Sequence, residues 1–383
     1  MPRSKTLEKI FNMADTGTIY ILTMEYPPMR GGAGVYCEEL YLATAELGIK
    51  VQVIGPKTAE KTSDTNYLEM PVKGSQDWTC SWKACSYLKN LDLRTHTLHL
   101  AEPGALRAWI RFGCRVSKPK KLLITLHGSE IPKFSNNFLE RIKFIEILKQ
   151  ADTIHLLSRH NQMALLVLCP ELEEKIVIQP GAPASDVLPT EKLAKVYKPI
   201  ANGLILLCVG RIHPRKGQLE LLQAIEQLPD SIKGKVTCRF AGPPTNQAYF
   251  KKVISLSEKS GCKIEFLGEL SNTQLRAEYE KADLFALTSI PMAKSVEGFG
   301  FVYLEASAHG LPIVANRTGG VEDAVLNRQT GLFADPKNLS EVTEHLVTLT
   351  KDRNLREAMG NAGIQWAAEH SWSKVAQALY QQG

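Results

Sequence analysis

At 383 residues the chain has room for two or three domains, each with its own core. Its 44% hydrophobic and 22% charged composition, with 27 Gly and 20 Pro, excludes disordered, collagen-like and low-complexity classes. The net charge of +6 is modest, and no apolar run approaches the ~20 residues that a membrane span needs. The first residues carry Lys5, Glu8, Lys9 and Asp15 without an apolar block, so no signal or transit peptide is expected and the chain reads as cytoplasmic. Eight cysteines lie scattered, with no Cys-x-x-Cys pair, so reduced thiols are expected rather than a disulfide framework. Thiol titration in denaturant without reductant should count eight, and fewer than six would contradict this.

Short aliphatic runs alternate with longer helical patterns, the signature of βαβ units and parallel sheets. The first expected strand, Thr18–Thr23, leads into Arg30-Gly31-Gly32-Ala33-Gly34, which opens a helix near Val35. Glycines there let the backbone approach a ligand, and a helix start favours an anion such as phosphate. Gly-x-Gly-x-x-Gly cannot be aligned to the loop, which argues against a dinucleotide-binding dehydrogenase. Strands are expected at Val51–Ile54 and Leu98–Leu100; the segment between, with Trp78 and Trp82, carries no readable signature.

Between Arg107 and Lys121 stand six basic residues and no acid, with Arg107, Arg111 and Arg115 spaced to line one side of a helix. Such a stretch is a solvated face, or a contact for anionic lipid or a phosphorylated acceptor; the pattern leaves these open. The strand Leu122–Leu126 is followed by His127-Gly128, and further strands are expected at Thr153–Leu157 and Ile176–Gln179. A break is expected around Ala184–Ala201, where Pro189 and Pro199 precede a new buried strand.

That strand, Leu204–Val209, runs into Gly210-Arg211-Ile212-His213-Pro214-Arg215-Lys216-Gly217. The fork of Arg211 and the point charge of Lys216 suit a diphosphate, provided the loop curls to bring them together. Strands Val236–Ala241, Ile264–Leu267 and Leu284–Thr288 follow, the last leading to Glu297-Gly298-Phe299-Gly300-Phe301 and Glu305. Two glycines at a helix start expose amides, and a carboxylate suits a vicinal diol. Two acids could also form a general acid and base pair or bind metal, but no Asp-x-Asp occurs, and binding of sugar hydroxyls is the better reading. Strands at Pro312–Ala315, before Thr318-Gly319-Gly320, and Gly331–Ala334 close the pattern, and Gly363–Gln382 reads as an amphipathic helix with Trp366 and Trp372.

The glycine loop, His127-Gly128, the Gly-Arg-x4-Lys-Gly loop, Glu297 and Glu305 in Glu-x7-Glu spacing, and Gly319-Gly320 occur in that order, each after an expected strand. Together they resemble the GT-B retaining glycosyltransferases of family four (glycosyl transferases group 1), over nearly the whole chain. The resemblance implies an α/β fold of two Rossmann-like domains with parallel sheets facing a central cleft. Expected bounds are 1–195 for an acceptor-side domain, 196–365 for a nucleotide-sugar domain, and 366–383 for a helix crossing back to the first.

It further implies retaining, metal-independent transfer of a hexose-type sugar from a UDP- or GDP-linked donor to a saccharide, lipid-linked or phosphorylated acceptor, in glycan or glycolipid synthesis. By resemblance, Arg211 and Lys216 hold the diphosphate, Glu297 and His127 touch the transferred sugar, and Glu305 binds the ribose. Gly31, Gly32 and Gly210 approach the phosphates; Gly298 and the amides of Phe299, Gly300 and Phe301 meet the sugar or distal phosphate; Leu270 contacts the base. No cofactor, metal or nucleic-acid partner is expected, and peripheral contact with anionic membrane stays open. A sugar-nucleotide epimerase and a non-catalytic partner subunit are the alternatives.

Overall fold

The computed structural model describes residues 17–28, 31–57, 66–190, 195–293 and 295–381. Two parallel sheets organise them. The first has seven strands in the order β3-β2-β1-β4-β5-β6-β7, comprising β1 Ile19–Leu22, β2 Val51–Gly55, β3 Tyr67–Glu69, β4 Thr97–Leu100, β5 Lys121–Leu126, β6 Thr153–Leu156 and β7 Ile176–Ile178. The second has six in the order β10-β9-β8-β11-β12-β13, with β8 Leu204–Val209, β9 Val236–Ala241, β10 Lys263–Gly268, β11 Leu284–Leu287, β12 Ile313–Asn316 and β13 Gly331–Ala334. All twelve expected strands are present. Strand β3 is additional: an edge strand of three residues with none buried offers no apolar run to read.

The described residues form two compact units, one within Met1–Thr125, Ile142–His155 and Leu379–Gly383, the other within Leu126–Arg141 and Leu156–Ala378. In the first, a buried polar network ties sheet to helices. Tyr36 Oη lies 2.9 Å from His155 Nδ1 and 3.0 Å from Thr125 Oγ1, while His99 lies 2.7 Å from Thr125 Oγ1 and 2.6 Å from Tyr380 Oη. Such groups stay buried because each finds partners. Glu102 caps the helix Pro103–Phe112 and accepts from the N–H groups of Met24, Gly104 and Ala105. Burial nevertheless pushes its carboxyl up to about 7.

Two helical expectations change. The arginines 107, 111 and 115 do not share one helix face, because the helix ends at Phe112 and Gly113–Arg115 is a tighter 3-10 turn. Arg107 and Arg111 are half-buried, and Arg111 Nη1 donates to Gln76 O and Ser81 Oγ. The terminal segment is two helices, Arg353–Ala368 and Trp372–Tyr380, rather than one. His370 turns back to the Trp366 carbonyl at 2.8 Å, and Ser371 Oγ accepts from Lys374 N, starting the second helix.

In the second unit β8, β11 and β12 are almost wholly buried apolar runs, as a parallel sheet covered on both faces requires. Strand order reverses between β8 and β11, which pair directly through Leu206 and Leu284. Loops leaving the carboxyl ends of those two strands therefore meet at a topological switch point, where ligands of open α/β sheets bind.

Candidate functional site

The loop after β8 curls through a 3-10 turn, Pro214–Lys216, that ends on Gly217 at φ 68°. A Cβ on Gly217 would stand 1.9 Å from the Thr288 carbonyl oxygen, so a larger residue cannot bring the loop this close to the end of β11. Thr288 Oγ1 donates to Gly217 O at 2.8 Å and Ile290 N to Arg215 O at 2.9 Å, stitching the two loops. Gln218 holds the base of the curl, donating to Arg211 O and accepting from His213 N.

The stitching converges cations on one carboxylate. Glu297, in the loop after β11, accepts at Oε2 from Lys216 Nζ at 2.7 Å, Arg215 Nη1 at 2.8 Å and Ser289 Oγ at 3.1 Å. All three charged side chains are largely buried, at 9–14% exposure, which strengthens their attraction. Burial works against ionising Glu297, yet Lys216 and Arg215 overcome it and hold the carboxyl at about 2. Burial pulls Lys216 below the ordinary lysine value despite Glu297, and the neighbouring Arg215 and Arg211 add to that. Carboxylate geometry anchors the cluster: one oxygen receives all three donors.

Above the cluster opens a cavity of about 410 Å³ lined by Ser129, Arg211, His213, Arg215, Lys216, Thr245 and Ser295. Three basic residues and no acid stand among these lining residues, so the cavity suits an anion. His213 accepts from Arg215 N at its Nδ1 and is held below its ordinary value by burial and by the cations beside it. Among the described residues no cluster of three or more His, Cys, Asp or Glu could hold a metal ion.

The loop after β5 reaches the same region of the second unit. Gly298 packs so closely on it that a Cβ would stand 1.6 Å from the His127 carbonyl oxygen. Ser129 Oγ lies 3.3 Å from Ser295 Oγ, Asn161 donates to Gly298 O, and Glu130 accepts from His127 N at 2.9 Å. His127 itself is half-buried. Gly300, at φ 94°, begins the helix Phe301–Ala308, which among the described residues has no side-chain cap and no acid in its first turn. The Phe299 and Phe301 rings pack edge to face at 5.8 Å, with Phe301 also against Trp372. One turn further, buried Glu305 accepts from buried Tyr279 Oη at 2.8 Å.

Arg211, Lys216, Glu297, Gly210, Gly298 and the His127 loop thus gather around the switch point. Leu270, half-buried after β10, is not among the cavity's lining residues. Gly31 and Gly32 belong to the first unit and start the helix Gly32–Glu46, where Gly34 N donates to Glu25 Oε1 at 3.4 Å; Arg30 lies outside the described residues. Arg215, Ser289 and Tyr279 complete the polar contacts of Glu297 and Glu305 without a signal in the motifs. Arg215 stood beside Lys216 in the motif, but only the 3-10 turn turns both inward; Ser289 and Tyr279 carry no local signal.

The model of the family described as glycosyl transferases group 1 matches residues 190–366. A GDP-mannose-dependent alpha-(1-6)-phosphatidylinositol monomannoside mannosyltransferase of Mycobacterium tuberculosis is 24% identical over 94% of this chain and 96% of its own. A D-inositol 3-phosphate glycosyltransferase of Corynebacterium jeikeium is 33% identical, over 53% of this chain and 50% of its own. The structure of Anabaena Alr3699/HepE in complex with UDP and glucose superposes with a TM-score of 0.71 at 19% identity, covering 95% of this chain and 98% of that one. Two Rossmann-like halves, each built on a parallel sheet, give the chain a GT-B fold. Within that fold, the match to glycosyl transferases group 1 falls on the half built around β8 to β13.

Proposed function

We propose that the protein transfers a hexose from a UDP- or GDP-linked diphosphate donor to an acceptor hydroxyl, with the anomeric configuration retained and without a metal. The observation that carries this reading is the cavity at the β8/β11 switch point, where Arg211, Arg215 and Lys216 surround a space suited to a diphosphate. The mycobacterial relative's name specifies a GDP-mannose donor and the Anabaena complex holds UDP and glucose, which supports a nucleotide-sugar donor.

In this scheme the bond between the anomeric carbon and the distal phosphate oxygen breaks, and the acceptor oxygen bonds to the same face of that carbon. The acceptor proton passes to the departing phosphate. Negative charge grows on the diphosphate as it leaves, so preorganised cations lower the barrier selectively. Glu297 holds Lys216 and Arg215 in place and presents a carboxylate toward the transferred sugar, Glu305 meets the ribose diol, and the uncapped helix start at Gly300 faces charge with its amides. Leu270 contacts the base, and His127 touches the sugar.

Proton NMR of the product formed with a nucleotide hexose tests the reading. The donor's anomeric configuration should be preserved and turnover should survive a chelator. Inversion, or complete loss with chelator, would contradict it. Donor conversion without any acceptor would favour the epimerase instead.

A further inference from the structure

On the first unit, the helix Trp78–Leu88 packs against the helix Pro103–Phe112 and the 3-10 turn Gly113–Arg115. Trp78 and Trp82, one turn apart, are 64% and 49% exposed, unusual for the largest apolar side chain. Cations are built into the same surface. The Arg111 guanidinium lies 4.6 Å from the Trp78 ring, Phe112 meets that ring edge-on at 5.7 Å, and Arg115 lies 5.4 Å from Phe112. Lys83, beside Trp82, is exposed.

The chain segment that carries these helices is basic. From Lys73 to Lys121 the chain has ten Lys and Arg against three Asp and Glu, a net of +7 where the whole chain carries +6. None of the three acids offsets the patch freely: Glu102 is buried, Asp92 is paired with Arg94 at 2.9 Å, and Asp77 caps the tryptophan helix by accepting from Cys80 N.

We propose that this surface docks on an anionic phospholipid bilayer, with Trp78 and Trp82 seated at headgroup level and Lys83, Arg111 and Arg115 facing lipid phosphates. Indoles favour that depth, and cations beside them gain from the negative surface potential. A single-stranded nucleic acid also meets aromatic and basic residues, but it needs open ring faces to stack on. Here Arg111 covers a face of Trp78 and Arg115 approaches a face of Phe112, an arrangement that suits shallow immersion in an interface. The inference is independent of the donor reading, since no residue of the cavity takes part.

Vesicle flotation of the full chain tests it, comparing phosphatidylglycerol-containing vesicles with pure phosphatidylcholine. The protein should float with the anionic vesicles, and the tryptophan emission should shift to the blue. Two double variants, Trp78→Ser with Trp82→Ser and Lys83→Glu with Arg115→Glu, should each reduce partitioning by on the order of tenfold or more. Their circular dichroism and cooperative thermal melts should match the parent, which shows that both variants are folded. Absence of flotation for the parent at low salt would overturn the proposal. So would undiminished flotation of either variant, or capture by a polyanion such as heparin that matches vesicle binding and ignores the tryptophan variant.

Discussion

Replacing Arg211 or Lys216 by alanine is expected to lower kcat/KM at least a hundredfold while the fold survives. Each cation faces the cavity in which, on our reading, the leaving diphosphate gathers charge. Removing one preorganised donor of this kind typically costs on the order of 2.7–4 kcal/mol in the transition state, and a hundredfold already corresponds to about 2.7 kcal/mol. Stability should hold for different reasons at the two positions. Arg211 is exposed, so its truncation disturbs little packing. At Lys216, Glu297 keeps Arg215 and Ser289 as partners after the change. Steady-state kinetics with a nucleotide sugar, beside a thermal melt, separates the two effects; near-parental kinetics in both variants would remove these residues from the mechanism.

Glu297→Ala should do something different, losing activity and stability together. The substitution leaves Lys216 and Arg215, both largely buried, without their shared counter-charge. Breaking a buried pair from one side costs about 3–5 kcal/mol. The same pair makes stability depend on pH in a defined direction. Because the folded carboxyl sits at about 2, below its ordinary value of 4.5, the contribution is fully present above pH 4.5 and is lost as pH falls toward 2. Urea denaturation at neutral and acid pH should show that loss in the parent and a flatter profile in Glu297→Ala. Equal stability of the two proteins at neutral pH would contradict the assigned role.

The sheets were legible because their strands are buried on both faces, so apolar runs such as Leu204–Val209 and Leu284–Leu287 stand out without neighbours. Loops following strands were legible for the same reason, and with them Arg211, Lys216 and Glu297. What escaped was set by tertiary placement. The pairing of Arg215 with Glu297 depends on a turn held by Thr288, 71 residues away from Gly217, and Tyr279 reaches Glu305 from another helix. Edge strand β3 buries too little to leave a pattern. In the basic stretch, the spacing of Arg107, Arg111 and Arg115 fits one helical face, and spacing alone cannot show that the helix stops at Phe112.

Calorimetric titration of the parent, Arg211→Ala and Lys216→Ala with UDP, GDP and the matching monophosphates addresses the cavity's role most directly. A diphosphate should bind the parent at least tenfold more tightly than its monophosphate, and either substitution should erase most of that difference. Equal affinity for mono- and diphosphates, or a preference that persists in both variants, would place the second phosphate away from these cations and contradict the account.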